Sequence, residues 1–256
     1  MGRNLQAARR VRPLPLVYFH GMPGGPGEWA VNAQPALRES AWLADRNDPA
    51  ETVEAIAARL AAAFPRGVRL IGFSAGAFAA LRTAALLGDK AAALDLVSPA
   101  APLQLGNFLP DMAGGPIFRM AARQPGLFAT VARAQGSLAR HFPGFLLGRL
   151  LATAQGGDAE LARDPGFRQR MAAVLRDGLG RDFRGFETEV LAYVADWRDV
   201  LGQVSGEVTI WQGNRDNWTP PAMGRALHAA MPGSRLELLP GASHYSALRA
   251  ALARIG

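Results

Sequence analysis

The chain has 256 residues, 49% of them hydrophobic, which suffices for one large domain with a full core and leaves room for an inserted subdomain. With no cysteine, disulfides, thiol nucleophiles and cysteine-bound zinc are excluded, and four histidines leave little for a metal site, so neither a metal nor another cofactor is expected. The net charge of +7 invites a nucleic-acid partner, yet the basic residues show neither a clustered face nor an aromatic platform, and no nucleic-acid binding is expected.

In chain order, the basic segment Met1 to Arg12 leads only into the short apolar run Leu14 to Phe19, without the longer apolar core of a signal peptide, so a cytoplasmic protein is expected. No apolar run approaches the ~20 residues of a membrane-spanning helix, because arginines and prolines interrupt all of them. Pro15 to Phe19 reads as a buried parallel strand. It runs into His20-Gly21-Met22-Pro23-Gly24-Gly25-Pro26-Gly27-Glu28-Trp29, where glycine and proline are too dense for helix or strand. A loop in that place lies where open α/β sheets bind ligands. Ser40 to Ala44 is a short strand. Asp48-Pro49-Ala50-Glu51 supplies an N-cap acceptor, a proline at the first helical position and a glutamate at the third. A helix is therefore predicted from there to about Phe64, with Val53, Ile56, Leu60 and Phe64 on one face.

Val68 to Phe73 reads as the next strand, and Gly72-Phe73-Ser74-Ala75-Gly76 joins it to an alanine-rich helix that ends at Leu87 before Gly88. A residue at the tip of so sharp a turn is forced towards positive φ, and its neighbours two positions away must be small, as Gly72 and Gly76 are. Such a turn lifts the Ser74 hydroxyl clear of the sheet and aims the first free helical N–H groups, led by that of Ala75, at the group Ser74 attacks. Ala93 to Val97 is a further strand. Strands and helices alternating at these spacings predict an α/β fold with a mostly parallel sheet covered by helices on both faces.

The alternation then stops. Residues 100–204 show helical periodicity with glycine and proline breaks but no convincing strand, too long a stretch for one crossover, and read as a helical lid inserted over the strand ends. The core is accordingly expected over residues 1–99 and 205–256. It resumes with the strand Glu207 to Trp211, the loop Gln212 to Pro220, a helix Pro221 to Met231, the last strand Arg235 to Leu239, and the loop Pro240 to Tyr245 before a short final helix.

A serine hydroxyl becomes a useful nucleophile only when a base takes its proton, and the base needs a carboxylate to hold its tautomer. His20 precedes the serine, His141 lies in the insertion and His228 sits mid-helix, whereas His244 lies in a loop after a late strand. Asp216 likewise follows the penultimate strand, while Asp95 lies within a strand and Asp196 and Asp199 within a helix. The catalytic candidates are therefore Ser74, Asp216 and His244, in the chain order associated with a nucleophile elbow on an α/β sheet.

On the His20-Gly21-Met22-Pro23 loop, the Gly72 to Gly76 elbow, the Gly213-Asn214-Arg215-Asp216 loop ending at Pro220, and Gly241-Ala242-Ser243-His244, the chain resembles the α/β-hydrolase superfamily with an inserted helical lid. The resemblance covers about residues 13–99 and 205–255. It implies a second oxyanion donor at the Met22 backbone N–H beside that of Ala75, a bracing role for His20, and acyl transfer through a covalent Ser74 intermediate. Two departures stand out: a shortened or missing hairpin before the first strand, and no Asp-x-x-Gly-x-Gly-x-Ser turn between Trp42 and the elbow.

The implied function is a serine hydrolase acting on a small-molecule ester, with Trp218 and Phe73 expected to contact the substrate. Between Met112 and Gly157 there is no acidic residue, while Arg119, Arg123, Arg133, Arg140 and Arg149 all fall there, which reads as a solvated basic face or, alternatively, as one or two arginines that meet an anionic group on the substrate. Phe118, Met120, Leu127, Phe128, Phe142, Phe145 and Leu146 suggest an apolar pocket wall, with most of them expected to form the core of the lid itself. The Pro-Gly-Gly-Pro-Gly run also resembles the proline iminopeptidase branch, in which insertion carboxylates such as Glu187 and Glu189 would hold a substrate amine. Carbon–carbon bond hydrolases and non-catalytic binding proteins of the same fold are the remaining alternatives.

Overall fold

Six strands form one sheet in the order β2-β1-β3-β4-β5-β6, every neighbouring pair parallel. They are β1 (Leu16–Phe19), β2 (Ala41–Ala44), β3 (Val68–Phe73), β4 (Ala91–Val97), β5 (Glu207–Gly213) and β6 (Arg235–Leu239). The computed structural model describes residues 13–255; the leader reading of Met1 to Arg12 lies outside the described residues. Helices α1 (Gly27–Asn32), α2 (Val53–Ala63) and α3 (Gly76–Leu87) connect the first strands. Then α4 (Gly115–Arg123), α5 (Pro125–His141), α6 (Pro143–Leu150), α7 (Gly156–Leu161), α8 (Pro165–Asp177) and α9 (Phe183–Val194) separate β4 from β5, and α10 (Pro221–Ala230) and α11 (His244–Ile255) close the chain. None of these helices is long and apolar enough to cross a membrane.

Side chains alternate across the strands and so feed two different cores. Val17, Phe19 and Leu70 pack with Ile56, Leu60, Phe78, Leu81 and Leu227 on one face, whereas Tyr18, Ile71 and Phe73 pack with Trp29, Leu248 and Leu252 on the other. Each fully buried side chain of this size contributes about 1.5–3 kcal/mol. A third core lies within α4–α9, around Phe128, Phe167, Met171, Leu175 and Phe186. These helices therefore hold together as a layer with an interior of their own.

The chain leaves β1 for β2 on one side and returns to β3 on the other, so β1 and β3 flank the point where the strand order reverses and the following loops part and open a crevice. One boundary differs from expectation. The helix after β2 starts not at Asp48 but behind Thr52, whose hydroxyl accepts the Ala55 N–H at 3.2 Å. Asp48 instead closes a turn on itself, its carboxylate accepting the Ala50 N–H at 2.9 Å, which competes with helix entry.

Candidate active site

Ser74 sits at the switch crevice with φ of 55°. Its neighbours explain why the turn needs glycine: a Cβ on Gly76 would stand 2.2 Å from the Phe19 carbonyl oxygen, and one on Gly72 2.8 Å from the Ala77 Cα. The loop after β1 approaches just as closely, since a Cβ on Gly21 would lie 3.2 Å from the Ser74 Cβ. Neither the Met22 nor the Ala75 backbone N–H donates to an acceptor among the described residues. Both residues line a cavity together with Ser74.

The loop carrying Met22 is braced from behind. Buried Glu28 accepts the Tyr18 hydroxyl at 2.7 Å and the Gly21 N–H at 2.8 Å on one carboxylate oxygen. Burial raises the Glu28 pKa above its ordinary value, against the opposing effect of those two donors. His20 is fully buried, its Nδ1 beside the Gly21 carbonyl, and its own carbonyl accepts the guanidinium of Arg46. Burial first, and Arg46 second, push the His20 pKa well down and keep the ring neutral. Arg46 also pairs with Glu189 of α9, which ties the loop to the helical layer.

Asp216, in the loop after β5, and His244, beyond the end of β6, come together. The His244 Nδ1 lies 2.9 Å from Asp216 Oδ2, and Asp216 Oδ1 accepts the N–H groups of Trp218 (2.9 Å) and Thr219 (3.0 Å). Both side chains are almost wholly buried. Burial alone would raise the Asp216 pKa and lower that of His244, but the charge and hydrogen bond each offers the other prevail, so Asp216 is held below and His244 above its ordinary value. With Nδ1 occupied, Nε2 is the ring nitrogen left for other chemistry. Ser74 and His244 line one small cavity with Phe73, Trp218 and Tyr245.

His244 is not in a loop: it is the first residue of α11, and the insertion fixes it there. Asp158 of α7 is buried and accepts the N–H groups of His244 (3.1 Å), Tyr245 (2.9 Å) and Ser246 (2.7 Å), capping α11 from a distant segment. No local pattern marks Asp158, Arg46 or Glu28, because the partners of all three become neighbours only in three dimensions. Among the rejected candidates, Asp95 is bound by Arg69 and the Trp211 indole, His228 lies in the last turn of α10 beside Ser234, and Asp196 lies between α9 and the following 3₁₀ turn rather than within a helix.

A cavity of about 130 Å³ runs from Ser74 into the helical layer and is walled chiefly by Met112, Ile117, Phe118, Leu146, Leu179 and Phe186. Trp218 lines it as well, while Phe73 lies fully buried beneath the His244 ring, with centroids 4.7 Å apart. Several expectations for the insertion need correction. None of Arg119, Arg123, Arg133, Arg140 and Arg149 lines this cavity, and all five are exposed. Arg140 instead donates to the Gly180 carbonyl at 2.9 Å, and Arg133 lies over the Phe183 ring. Leu127, Phe142 and Phe145 are exposed, and Phe128 belongs to the interior of the layer, so of the proposed apolar wall Phe118 and Leu146 remain. Glu187 and Glu189 do not line the cavity either. Among the described residues no three His, Asp or Glu side chains group as metal ligands.

A family model described as the alpha/beta hydrolase family matches residues 16–254. The chain is 30% identical over 194 residues to a pimeloyl-[acyl-carrier protein] methyl ester esterase of Neisseria meningitidis serogroup A, covering 75% of this chain and 56% of that protein. The match to the serogroup B protein of the same name is 29% over 225 residues, 87% of this chain and 78% of the other. The chain thus spans little more than half the length of the first of these relatives. Among solved structures, a bromoperoxidase from Bacillus anthracis superimposes with a TM-score of 0.66 at 19% identity, over 95% of this chain and 92% of that one. An enol-lactonase from Burkholderia xenovorans superimposes with 0.63 at 18%, over 96% and 90%. At such identities the likeness speaks for the fold alone, and the fold class expected from the sequence is the one found.

Proposed function

The chain belongs to the alpha/beta hydrolase family, and on that premise we propose that it is a serine esterase whose nucleophile, base and acid are Ser74, His244 and Asp216. In this reading Ser74 Oγ attacks the ester carbonyl while His244 Nε2 takes its proton. The N–H groups of Met22 and Ala75 stabilise the oxyanion, and His244 returns the proton to the departing alcohol. Water then attacks the acyl-Ser74 carbonyl with His244 again as base, releasing the acid and restoring the hydroxyl. Asp216 keeps the imidazole in the required tautomer and stabilises its protonated form. The helical layer acts as the lid that walls the acyl site.

The observation that carries this reading is the His244–Asp216 hydrogen bond of 2.9 Å, in a buried pair that shares a cavity with a serine held at positive φ. An ester is favoured over an amine-bearing peptide because Glu187 and Glu189 are absent from the cavity wall. The esterase names of the curated relatives point the same way. Ser74→Ala should lower turnover of p-nitrophenyl acetate by roughly 10⁶-fold with an unchanged thermal midpoint. A fluorophosphonate probe should label the wild type and not the variant. Wild-type rates in the variant, or labelling that survives the substitution, would refute the assignment.

A further inference from the structure

Two consecutive peptide units, His20–Gly21 and Gly21–Met22, lead into the proposed oxyanion position, and between them they have four polar ends. Three are held from behind by buried side chains. The His20 carbonyl accepts the guanidinium of Arg46, the Gly21 N–H donates to Glu28 Oε2 at 2.8 Å, and the Gly21 carbonyl accepts His20 Nδ1–H at 2.8 Å. The fourth, the Met22 N–H, has no acceptor among the described residues, and Met22 lines both cavities at Ser74. In a planar trans peptide the C=O and N–H point in opposite directions, so a Gly21 carbonyl held at the back turns the Met22 N–H to the front. The unit before it is gripped by opposite charges, a cation on its carbonyl and a carboxylate on its N–H, each matched to the end it holds.

Arg46 is buried, and a charge in such a place needs a partner. That partner is Glu189 of α9, so it comes from the insertion and not from the sheet. The pair belongs to a wider junction between the insertion and the loops beneath it. Asn47 Nδ2 donates to the Gly24 carbonyl at 2.9 Å. A Cβ on Gly178 would stand 2.1 Å from the Gly24 carbonyl oxygen, and one on Gly185 3.0 Å from the Asn47 Cα. Phe186, three residues before Glu189 on the same helix, lines the cavity that begins at Ser74. From this geometry we infer that Arg46 and Glu189 are positioning residues for the oxyanion donor: Glu189 holds Arg46, Arg46 fixes the His20–Gly21 peptide, and the Met22 N–H is aimed as a result. Helix α9 thereby acts on the reaction through the oxyanion position as well as through the cavity wall. This inference rests on the esterase reading and adds two residues to the same site, one of them in the insertion.

The test measures kcat and KM for p-nitrophenyl hexanoate in the wild type, Arg46→Met, Arg46→Lys and Glu189→Gln. It adds the inhibition constant of a trifluoromethyl ketone, whose adduct with Ser74 places an oxyanion at the Met22 and Ala75 N–H groups. Misaiming one of two donors should lower kcat by about 10²-fold in Arg46→Met and by about tenfold in Arg46→Lys and Glu189→Gln. KM should stay unchanged, because the ground-state ester does not depend on the oxyanion contact. Affinity for the ketone should fall in the same proportion as kcat/KM, and Glu187→Gln, two residues away on α9, should match the wild type throughout. A lowered thermal midpoint with kcat and ketone affinity at wild-type values would show that the pair only stabilises the fold, and overturns the inference. A loss of kcat that spares ketone affinity, or an equal loss in Glu187→Gln, overturns it too. Should Arg46→Met fail to fold, the two milder variants decide by the same comparison. A wild type that hydrolyses no ester removes the esterase reading instead, and calorimetry with the ketone then decides for the pair: weaker binding by Glu189→Gln than by the wild type upholds it, and equal or absent binding ends it.

Discussion

The cavity next to Ser74 has a floor made by the sheet and a ceiling made by α4–α9, and different physics holds the two. In the floor, backbones touch with no room to spare: the Gly76 position meets the Phe19 and His20 carbonyl oxygens, and Gly72 meets Ala77 and Ala80. In the ceiling such approaches are confined to helix ends and crossings, as where Gly115 meets the Leu109 carbonyl and Gly178 that of Gly24; around the elsewhere open Gly126 and Gly144 there is nothing within 4 Å of where a Cβ would stand, and interlocked side chains such as Phe128 against Phe186 supply the interior. Backbone contacts admit one residue type and fix atoms tightly, which suits the end of the site where bonds change. Side-chain packing admits many sequences, which suits an end that need only choose among acyl chains.

The sharpest way to break this contrast acts on the floor. Asp216→Asn should lower kcat/KM for p-nitrophenyl acetate by roughly 10⁴-fold. It should also move the acid limb of the pH profile. As the proposed base, His244 would have to be neutral to act, and its raised pKa would place that limb above 6.5, with activity lost as pH falls through it. Removing the carboxylate that raises the value should shift the limb to lower pH. An unshifted limb would mean that another group sets the profile.

In the ceiling, Phe128→Ala should cost about 3–5 kcal/mol, felt where the side chain packs. Hydrogen exchange should show lost protection in α5, α8 and α9 while β1, β3 and β4 keep theirs. Uniform loss through the sheet would show that floor and ceiling unfold as one unit.

The smallest pair of effects sharpens the comparison most directly. Gly76→Ala forces an atom into the Phe19 carbonyl and should destabilise by about 3 kcal/mol. Gly126→Ala, on an exposed helical position with open space, should stabilise by about 0.4–1 kcal/mol. Urea midpoints would read both, and equal signs would remove the distinction.

The floor was largely legible in the sequence. β3 and β6 fall on the predicted residues and the other strands within two of them, because a buried parallel strand is a short apolar run bounded by glycine or proline, a signal carried by consecutive residues. Ser74 was marked by its flanking glycines, and Asp216 and His244 by the strands they follow. The ceiling was legible only as helix without strand. Whether Phe128 faces the layer's interior or the ligand, and whether Phe142 is covered at all, depends on how six short helices pack, and their periodicity alone does not set that. The same reason hid Asp158, Glu28 and Arg46.

The order of its apolar runs and the glycines at its turns determined this protein's sheet, its elbow and the three candidate catalytic positions, since each depends on neighbours a few residues away. Tertiary structure alone decided that Asp158 caps the helix of His244, that Glu28 and Arg46 brace the loop of Met22, and that the five arginines face outward. Those outcomes depend on contacts between segments as many as 143 residues apart, as with Arg46 and Glu189, and burial and charge pairing across such separations exist only once the chain has folded.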